Sequence, residues 1–217
     1  MTTAIIGVGQ IGSGLARDLV RGGERVALAA RDQSHAQALA RELGDRATAA
    51  PARQAIADAD VVVLAIWLDQ CRALMPQIAD LLKGKVVVDP SNPIGFDDKG
   101  QVHRTLAEGT SAGSVVAGLL PPGAQFVKAF GSLGAASLAN DANRSPRRAV
   151  LFYATDDDGA AATIERLITA AGFDPVKVGG VKDAGRIEVP DGDLHQNGGL
   201  NGSLLDVDQA RAAVASA

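Results

Sequence analysis

The chain has 217 residues, 25 of them glycine, with 3% aromatic residues, one cysteine and a formal net charge of -4. This length allows one large domain, or one domain with a small appendage, and the mixed charges offer no basic patch for nucleic acid or anionic lipid. The longest apolar run, residues 61–68, is too short to cross a bilayer, and a single cysteine excludes an intrachain disulfide. Because no basic signal-peptide start is visible, we expect a cytoplasmic protein without a membrane partner.

Apolar strands alternate with amphipathic helices along the first 90 residues. This order predicts parallel βαβ units with right-handed crossovers, and therefore a doubly wound, mostly parallel α/β sheet of the Rossmann type. The predicted strands are residues 3–7, 25–30, 46–49, 61–66, 85–89, 125–130, 149–155 and 176–178. The predicted helices are residues 11–21, 34–43, a short one before residue 58, 69–82, 111–120 and 159–171. Pro76 predicts a kink or a division of the fourth helix, because it removes an interior hydrogen bond.

The pattern loosens after residue 89. Residues 90–100 are predicted to form a loop, and residues 131–147 a linker or mobile loop. We therefore divide the chain into a dinucleotide-binding domain, residues 1–135, and a small C-terminal part, residues 136–217, for the acceptor pocket or dimerisation. The three carboxylates at residues 156–158 are read as a helix cap rather than a metal site.

A glycine fingerprint follows the first strand at once. Gly7 lets the chain turn tightly, Gly9 lets a pyrophosphate approach the backbone, and Gly12 lets the helix pack on the strand. The amides that open this helix, near Gln10 and Ile11, have no partner within the helix and favour an anion. Because strand, glycines and helix occur in this order, we predict a dinucleotide site.

The end of the second strand indicates which nucleotide binds. NAD enzymes carry a carboxylate there for the ribose hydroxyls, whereas this chain has Arg31, whose planar guanidinium suits a 2′-phosphate. His35 lies one turn further on and could assist. Asp32 argues for NAD instead, since its carboxylate could reach a ribose hydroxyl. Arg31 could also be a charged loop residue that is simply exposed to solvent. We favour NADP over NAD.

Ligands of such sheets bind beyond the carboxyl ends of the strands, where the strand order reverses. Two further segments should meet the glycine turn there: Ala65, Ile66 and Trp67, and then Ser91, Asn92 and Pro93. The first can flank a nicotinamide ring, and Asn92 could hold its carboxamide. Trp67 is predicted either to wall the pocket or simply to pack.

The C-terminal run 191–199 is rich in glycine and cannot form a regular helix. A calcium-binding loop that started at Asp191 would need glycine at its sixth position and glutamate at its twelfth, and this chain has neither there, so no metal site is predicted. His195 is the one weak catalytic candidate, as a proton donor or a substrate-orienting group, with a structural or exposed histidine as the alternative. The segment is a candidate lid, dimer arm or pocket wall.

Seven segments together resemble the NADP-dependent reductases of the deazaflavin coenzyme F420. The resemblance implies homodimers, a Rossmann domain, a smaller acceptor-pocket part, and direct hydride transfer between two stacked rings without an obligatory protein acid or base. It also implies that Arg31 and His35 hold the 2′-phosphate, and that residues 65–67 with Asn92 meet the nicotinamide. The segments are residues 7–16, 30–32, 65–67, 87–93, 128–130, 150–158 and 172–173.

This chain departs from the family pattern at Gly131-Ser132, where relatives often carry Asn, and after Lys182, where they form a closing helix. We therefore expect an NADP-dependent oxidoreductase with a small-molecule hydride acceptor, either deazaflavin F420 as co-substrate or a flavin, quinone or imine. A non-catalytic NADP sensor is the alternative from another class, because no Ser-Tyr-Lys or Cys-His set is evident.

Overall fold

The computed structural model describes residues 1–216, and it contains all eight predicted strands within three residues of their expected ends. The strands are β1 Thr2–Ile6, β2 Arg25–Ala29, β3 Ala47–Ala49, β4 Val61–Leu64, β5 Val86–Asp89, β6 Ile94–Phe96, β7 Val102–Arg104, β8 Gln125–Lys128, β9 Val150–Ala154 and β10 Asp174–Gly179. The helices are α1 Gln10–Arg21, α2 Gln33–Leu43, α3 Ala52–Ala57, α4 Leu68–Ile78, α5 Ala112–Leu119, α6 Ala135–Asn140, α7 Asp158–Ala170 and α8 Val207–Ala215.

Eight strands form one sheet in the order β10-β9-β8-β5-β4-β1-β2-β3. Every neighbouring pair is parallel except β8 and β9, which meet antiparallel at Lys128 and Ala154. The chain leaves β1 in one direction to β2 and β3, and then returns to the other side of β1 with β4. The predicted doubly wound, mostly parallel Rossmann sheet is confirmed, and its strand order reverses between β1 and β4.

Side chains alternate across this sheet and form an apolar layer on each face. Ile5, Val63 and Val88 point to the layer beneath α1, α2 and α7, whereas Val62 and Val87 point to the layer beneath α3, α4 and α5. Both layers are fully buried because helices cover both faces, which is the environment that continuous apolar strands predict. This packing fixes the carboxyl ends of the parallel strands β1 to β5 and β8 at one edge.

Three segments differ from their predicted form. Residues 90–100 are not a plain loop, because β6 and β7 pair as an antiparallel hairpin. Part of the predicted linker is helix α6, with Leu138 buried in the core. Helix α4 runs through Pro76 and ends two residues later in a 3₁₀ turn, so the proline shortens the helix rather than dividing it.

The carboxylates at residues 156–158 behave as a cap: Asp157 accepts a hydrogen bond from the Ala160 amide at 2.8 Å. Helix α8 was not predicted, although Asp206 caps it. Within residues 1–216, no helix has the length and apolar character needed to cross a membrane.

Candidate functional site

The glycine turn between β1 and α1 is shaped by close backbone contacts. Gly7 has φ +100°, and a Cβ there would lie 2.7 Å from Cγ2 of Ile66. A Cβ on Gly12 would overlap the Gly7 carbonyl oxygen, so α1 can pack against the turn only with glycine at this position. By contrast, a Cβ on Gly9 would meet nothing within 4 Å. Packing therefore requires glycine at positions 7 and 12, whereas Gly9 leaves open space above the backbone.

That open space lies at the N-terminus of α1. Gly9 is the N-cap residue, and among residues 1–216 no side chain caps the helix and no acidic residue occupies its first turn. The first amides, those of Gln10 and Ile11, therefore retain their hydrogen-bonding capacity at the positive end of the helix dipole. This arrangement is suited to a diphosphate, because an anion can approach the amides with no side chain in the way.

A cleft of about 1480 Å³ opens over this turn and along the carboxyl edge of the sheet. Two predicted residues do not line it: Gly12 is buried under the turn, and Pro93 lies outside the lining. All the other predicted residues do: Gly7, Gly9, Gln10, Ile11, Arg31, His35, Ala65, Ile66, Trp67, Ser91, Asn92 and His195.

The end of β2 brings Arg31, Asp32 and His35 to one end of the cleft. Arg31 is exposed, and among residues 1–216 no carboxylate forms an ion pair with it. Asp32 caps α2 by accepting a hydrogen bond from the Ser34 amide at 2.9 Å, and hydrogen bonding by the side chain and then the amide of Ser34 lowers the pKa of its carboxyl. The carboxylate is thus engaged in the fold, while the guanidinium is available to an anion.

The turn after β5 places Ser91 and Asn92 at the middle of the cleft. Asn92 is bound at both ends of its amide: Nδ2 donates to the Gly131 carbonyl at 3.2 Å, and Oδ1 accepts from the Val189 amide at 2.9 Å. The side chain therefore joins three loops that surround the cleft. Its predicted contact with a carboxamide remains a prediction.

Beneath this turn lies a buried charge cluster that sequence reasoning missed. Lys128 Nζ lies 2.8 Å from Oδ2 of Asp89 and 3.0 Å from Oε1 of Glu188, and it also donates to the Ser91 carbonyl. All three charged side chains are at most 2% exposed. We call Asp89, Lys128 and Glu188 the charge triad.

Backbone amides complete the charge triad. Glu188 accepts hydrogen bonds from two amides at the start of α5, and Asp89 Oδ1 accepts one from the Ser91 amide. Burial works against the charge of Lys128, but the two carboxylates outweigh it and raise the pKa above its ordinary value. The signal in the sequence was a charged residue at the end of each of two buried strands, β5 and β8.

His195 is buried, at 2% exposed, in the wall of the cleft. Its Nδ1 accepts a hydrogen bond from the Asn197 amide at 2.9 Å, so the neutral ring carries its proton on Nε2. Burial, aided by the charge of Lys128, lowers the pKa of His195 to about 4 against the opposing effect of the Gly131 carbonyl. A neutral imidazole with its Nδ1 bound by Asn197 and its proton directed to Gly131 is not a ready proton donor at pH 7.

Aromatic and aliphatic side chains form much of the remaining wall. Trp67 and Phe96 are half-exposed and meet edge to face, with ring centroids 6.0 Å apart. Phe96 comes from the unpredicted hairpin, and Leu133 and Val189 come from segments beyond β8. The cleft thus has a polar, amide-rich part at β1 and β2 and a more apolar part beyond β5, which suits a charged dinucleotide beside a flat neutral ring.

The single cysteine is not placed for nucleophilic chemistry in the cleft. Cys71 is buried beneath the sheet, where burial and the nearby Asp89 raise the pKa of its thiol to about 12. Among residues 1–216, no three His, Cys, Asp or Glu side chains are grouped to hold a metal ion.

Comparisons with known proteins agree with this architecture. Residues 2–93 match the family model described as NADP oxidoreductase, coenzyme F420-dependent. An F420-dependent NADP reductase of Methanothermobacter marburgensis is 29% identical over 148 residues, 64% of this chain. The match spans 66% of that relative, just under two thirds of its length.

Two solved structures are similar over most of the chain. The hypothetical protein SMa0349 from Sinorhizobium meliloti is 30% identical, with a TM-score of 0.81 over 95% of both chains. A protein of Arthrobacter sp. FB24, proposed to be an F420-dependent NADP reductase, is 24% identical, with a TM-score of 0.72 over 85% of this chain and 87% of that one. At that identity, the second likeness shows the fold alone.

Proposed function

We propose that this chain, whose residues 2–93 match the family model of coenzyme F420-dependent NADP oxidoreductases, transfers a hydride between NADP(H) and a deazaflavin or similar ring acceptor. The observation that carries the proposal is the open space above Gly9, at the uncapped N-terminus of α1. A diphosphate fits there because it needs bare backbone and free amides rather than a basic side chain.

The strand order supports one direction for the dinucleotide. Arg31 follows β2, Gly9 follows β1, residues 65–67 follow β4, and Ser91 follows β5, and these strands are consecutive neighbours in the sheet. Adjacent strands lie about 4.8 Å apart, so the four positions span roughly 14 Å along the cleft. A 2′-phosphate at Arg31 and a diphosphate at Gly9 therefore direct the nicotinamide towards the ends of β4 and β5.

Arg31 supports NADP rather than NAD, because its guanidinium can form charge-assisted hydrogen bonds with a 2′-phosphate. His35 is the nearest second donor on α2, and it is exposed at the same end of the cleft. Oδ1 of Asp32 caps α2, and its Oδ2 lies 4.0 Å from Nε2 of His35.

The main contribution of the protein to the reaction is to position the cofactor and the acceptor. NADPH, when bound, supplies the hydride, and direct transfer to a ring needs no proton from a side chain. The chain contributes oriented amides, a phosphate-binding arginine and an apolar wall that excludes water. His195 is neutral, and its buried ring forms part of the wall of the cleft.

Residues 136–217 are proposed to form the acceptor side of the cleft. Val189, His195 and Asn197 all come from this part and line the cleft. By resemblance to the family we also propose a homodimer, which sedimentation velocity over a range of protein concentrations would test.

The test is to follow NADPH absorbance with a panel of acceptors that includes deazaflavin F420, free flavins, a quinone and an imine. We expect oxidation with deazaflavin or another ring acceptor. Saturable NADPH binding without oxidation of any acceptor would instead identify a nucleotide sensor. Trp67, the single tryptophan, lines the cleft, so quenching of its fluorescence gives an independent measure of binding.

Arg31→Ala tests the nucleotide specificity in the same assay. Loss of one charge-assisted bond should weaken NADPH binding by about 10- to 150-fold, but NADH binding by less than about 2-fold. Arg41→Ala is the matched control, because Arg41 is exposed on α2 and does not line the cleft. Equal weakening of both nucleotides by Arg31→Ala would overturn the phosphate assignment.

A further inference from the structure

The hydroxyl of Ser91 is buried and has no partner. Among residues 1–216, three buried side-chain oxygens lack a hydrogen bond: Thr3 Oγ1, Asp18 Oδ2 and Ser91 Oγ. Only Ser91 lines the cleft. Buried hydroxyls are normally satisfied, because an unpaired one loses its bonds to water without replacing them. An unpaired hydroxyl beside a ligand cleft therefore indicates a partner that arrives with the ligand.

The main chain of Ser91 is held on both sides. Its amide donates to Oδ1 of Asp89 at 2.9 Å, and its carbonyl accepts from the ammonium of Lys128. That ammonium is already shared with the two carboxylates of the charge triad, so all three of its protons are used. The backbone position is thus fixed by buried ionic bonds, and only rotation of the side chain about χ1 remains free.

The neighbouring residue does not compete for this role. The amide of Asn92 is bound at both ends by the main chain of Gly131 and Val189. A ligand that took over those bonds would have to separate the loops that Asn92 joins. Ser91 can bind a ligand without breaking any bond of the protein.

We propose that Ser91 Oγ turns into the cleft and forms a hydrogen bond with the carboxamide of the bound nicotinamide. This inference rests on the proposed function, since it takes the dinucleotide to run from Arg31 towards β5. An amide is the group expected at this position, because the strand order brings the ring end of the cofactor to the ends of β4 and β5. The charge triad then serves to hold the serine backbone in place.

Ser91→Ala separates this role from a structural one. NADP⁺ binding should weaken by about 2- to 13-fold, the range of one net hydrogen bond. Binding of 2′-phospho-ADP-ribose, which lacks the nicotinamide, should stay within about 2-fold, because it keeps every other contact. The melting temperature of the free protein should not fall, because the hydroxyl has no bond to lose.

Ser111→Ala is the matched control. Ser111 is also buried, but its Oγ caps α5 by accepting a hydrogen bond from the Ser114 amide at 2.9 Å, and it does not line the cleft. This variant should melt at a lower temperature and bind both ligands as the wild type does. Calorimetric titration of each variant with each ligand measures the affinities, and thermal melts of the free proteins measure the melting temperatures.

Each contrary outcome has a distinct meaning. If the wild type binds both ligands and Ser91→Ala weakens neither, or weakens both equally, the carboxamide contact is overturned while the proposed function stands. A lower melting temperature with unchanged binding would assign Ser91 to the fold alone. If the wild type binds neither ligand, the proposed function fails, and this inference fails with it.

Discussion

Replacing Lys128 with methionine removes the positive charge from the charge triad while keeping most of the side-chain volume. Two carboxylates, Asp89 and Glu188, would then remain buried within bonding distance of the lost ammonium. Taking one partner from a buried ionic group leaves an uncompensated charge and costs about 3–5 kcal/mol. Three backbone amides still bind the carboxylates, which keeps the expected cost within that range rather than above it.

The cost converts into a measurable change in melting temperature. An unfolding entropy of about 2.1 cal/mol/K per residue gives about 0.46 kcal/mol/K for 217 residues. Lys128→Met should therefore lower the melting temperature by about 7–11 °C. Calorimetric or circular-dichroism melts at pH 7.5 would measure this shift.

The pH dependence has a definite sign. The pKa of Lys128 is raised in the folded protein, so its contribution is complete below its ordinary value of 10.5 and is lost only as pH rises through the folded value. In the variant, the two buried carboxylates lack a positive partner, and low pH reduces the uncompensated negative charge. The difference in melting temperature between Lys128→Met and the wild type should therefore become smaller as pH falls below about 5.

Arg17→Met is the matched control, because Arg17 also pairs with a carboxylate, that of Glu42, but on the exposed surface. It should shift the melting temperature by no more than about 2 °C. If Lys128→Met shifted it as little as the control does, the claim that the triad is held together by a buried charge would be refuted.

Three further predictions follow from other positions. Gly12→Ala should yield little folded protein, because its Cβ would overlap the Gly7 carbonyl; soluble yield and circular dichroism would show this, and a native-like melt would contradict it. Burial, opposed by Arg21, raises the pKa of Asp18 to about 6, so burying its carboxylate costs stability above that pH. Asp18→Asn should therefore raise the melting temperature at pH 8 but not at pH 4. Equal shifts at both pH values would argue against a stability cost of the buried Asp18 carboxylate. Because burial lowers the pKa of His195 to about 4, His195→Gln should leave the shape of the pH dependence of NADPH affinity unchanged from pH 5.5 to 8. A titration near pH 6.5 that disappears in His195→Gln would show that the ring ionises.

Local sequence signals were sufficient for the elements that carry the nucleotide-binding part of the cleft. The turn from β1 to α1 could be predicted because apolar strand, three glycines and helix occur within residues 2–21. Arg31 could be placed because it directly follows a strand. These inferences depend on periodicity and on turn chemistry, both of which act over a few residues.

The acceptor part of the cleft depends on contacts that no local pattern contains. Lys128 and Asp89 are 39 residues apart, and Asn92 bonds to Val189 across 97 residues. The hairpin that carries Phe96 consists of three-residue strands, too short for an alternating pattern to be distinguished from a loop. Burial likewise decided the protonation of His195, and burial of a loop residue is a tertiary property.

The central claim is that the bare turn at Gly9 binds the diphosphate of NADP(H), and calorimetric titration of Gly9→Ala with NADPH tests it most directly. A Cβ at this position meets nothing in the free protein, so the fold and the melting temperature should be unchanged. The methyl group would nevertheless occupy the space that the diphosphate needs, and NADPH affinity should fall by more than about 10-fold relative to a wild type that binds. Wild-type affinity in the variant, or no binding of NADPH to the wild type, would contradict the account.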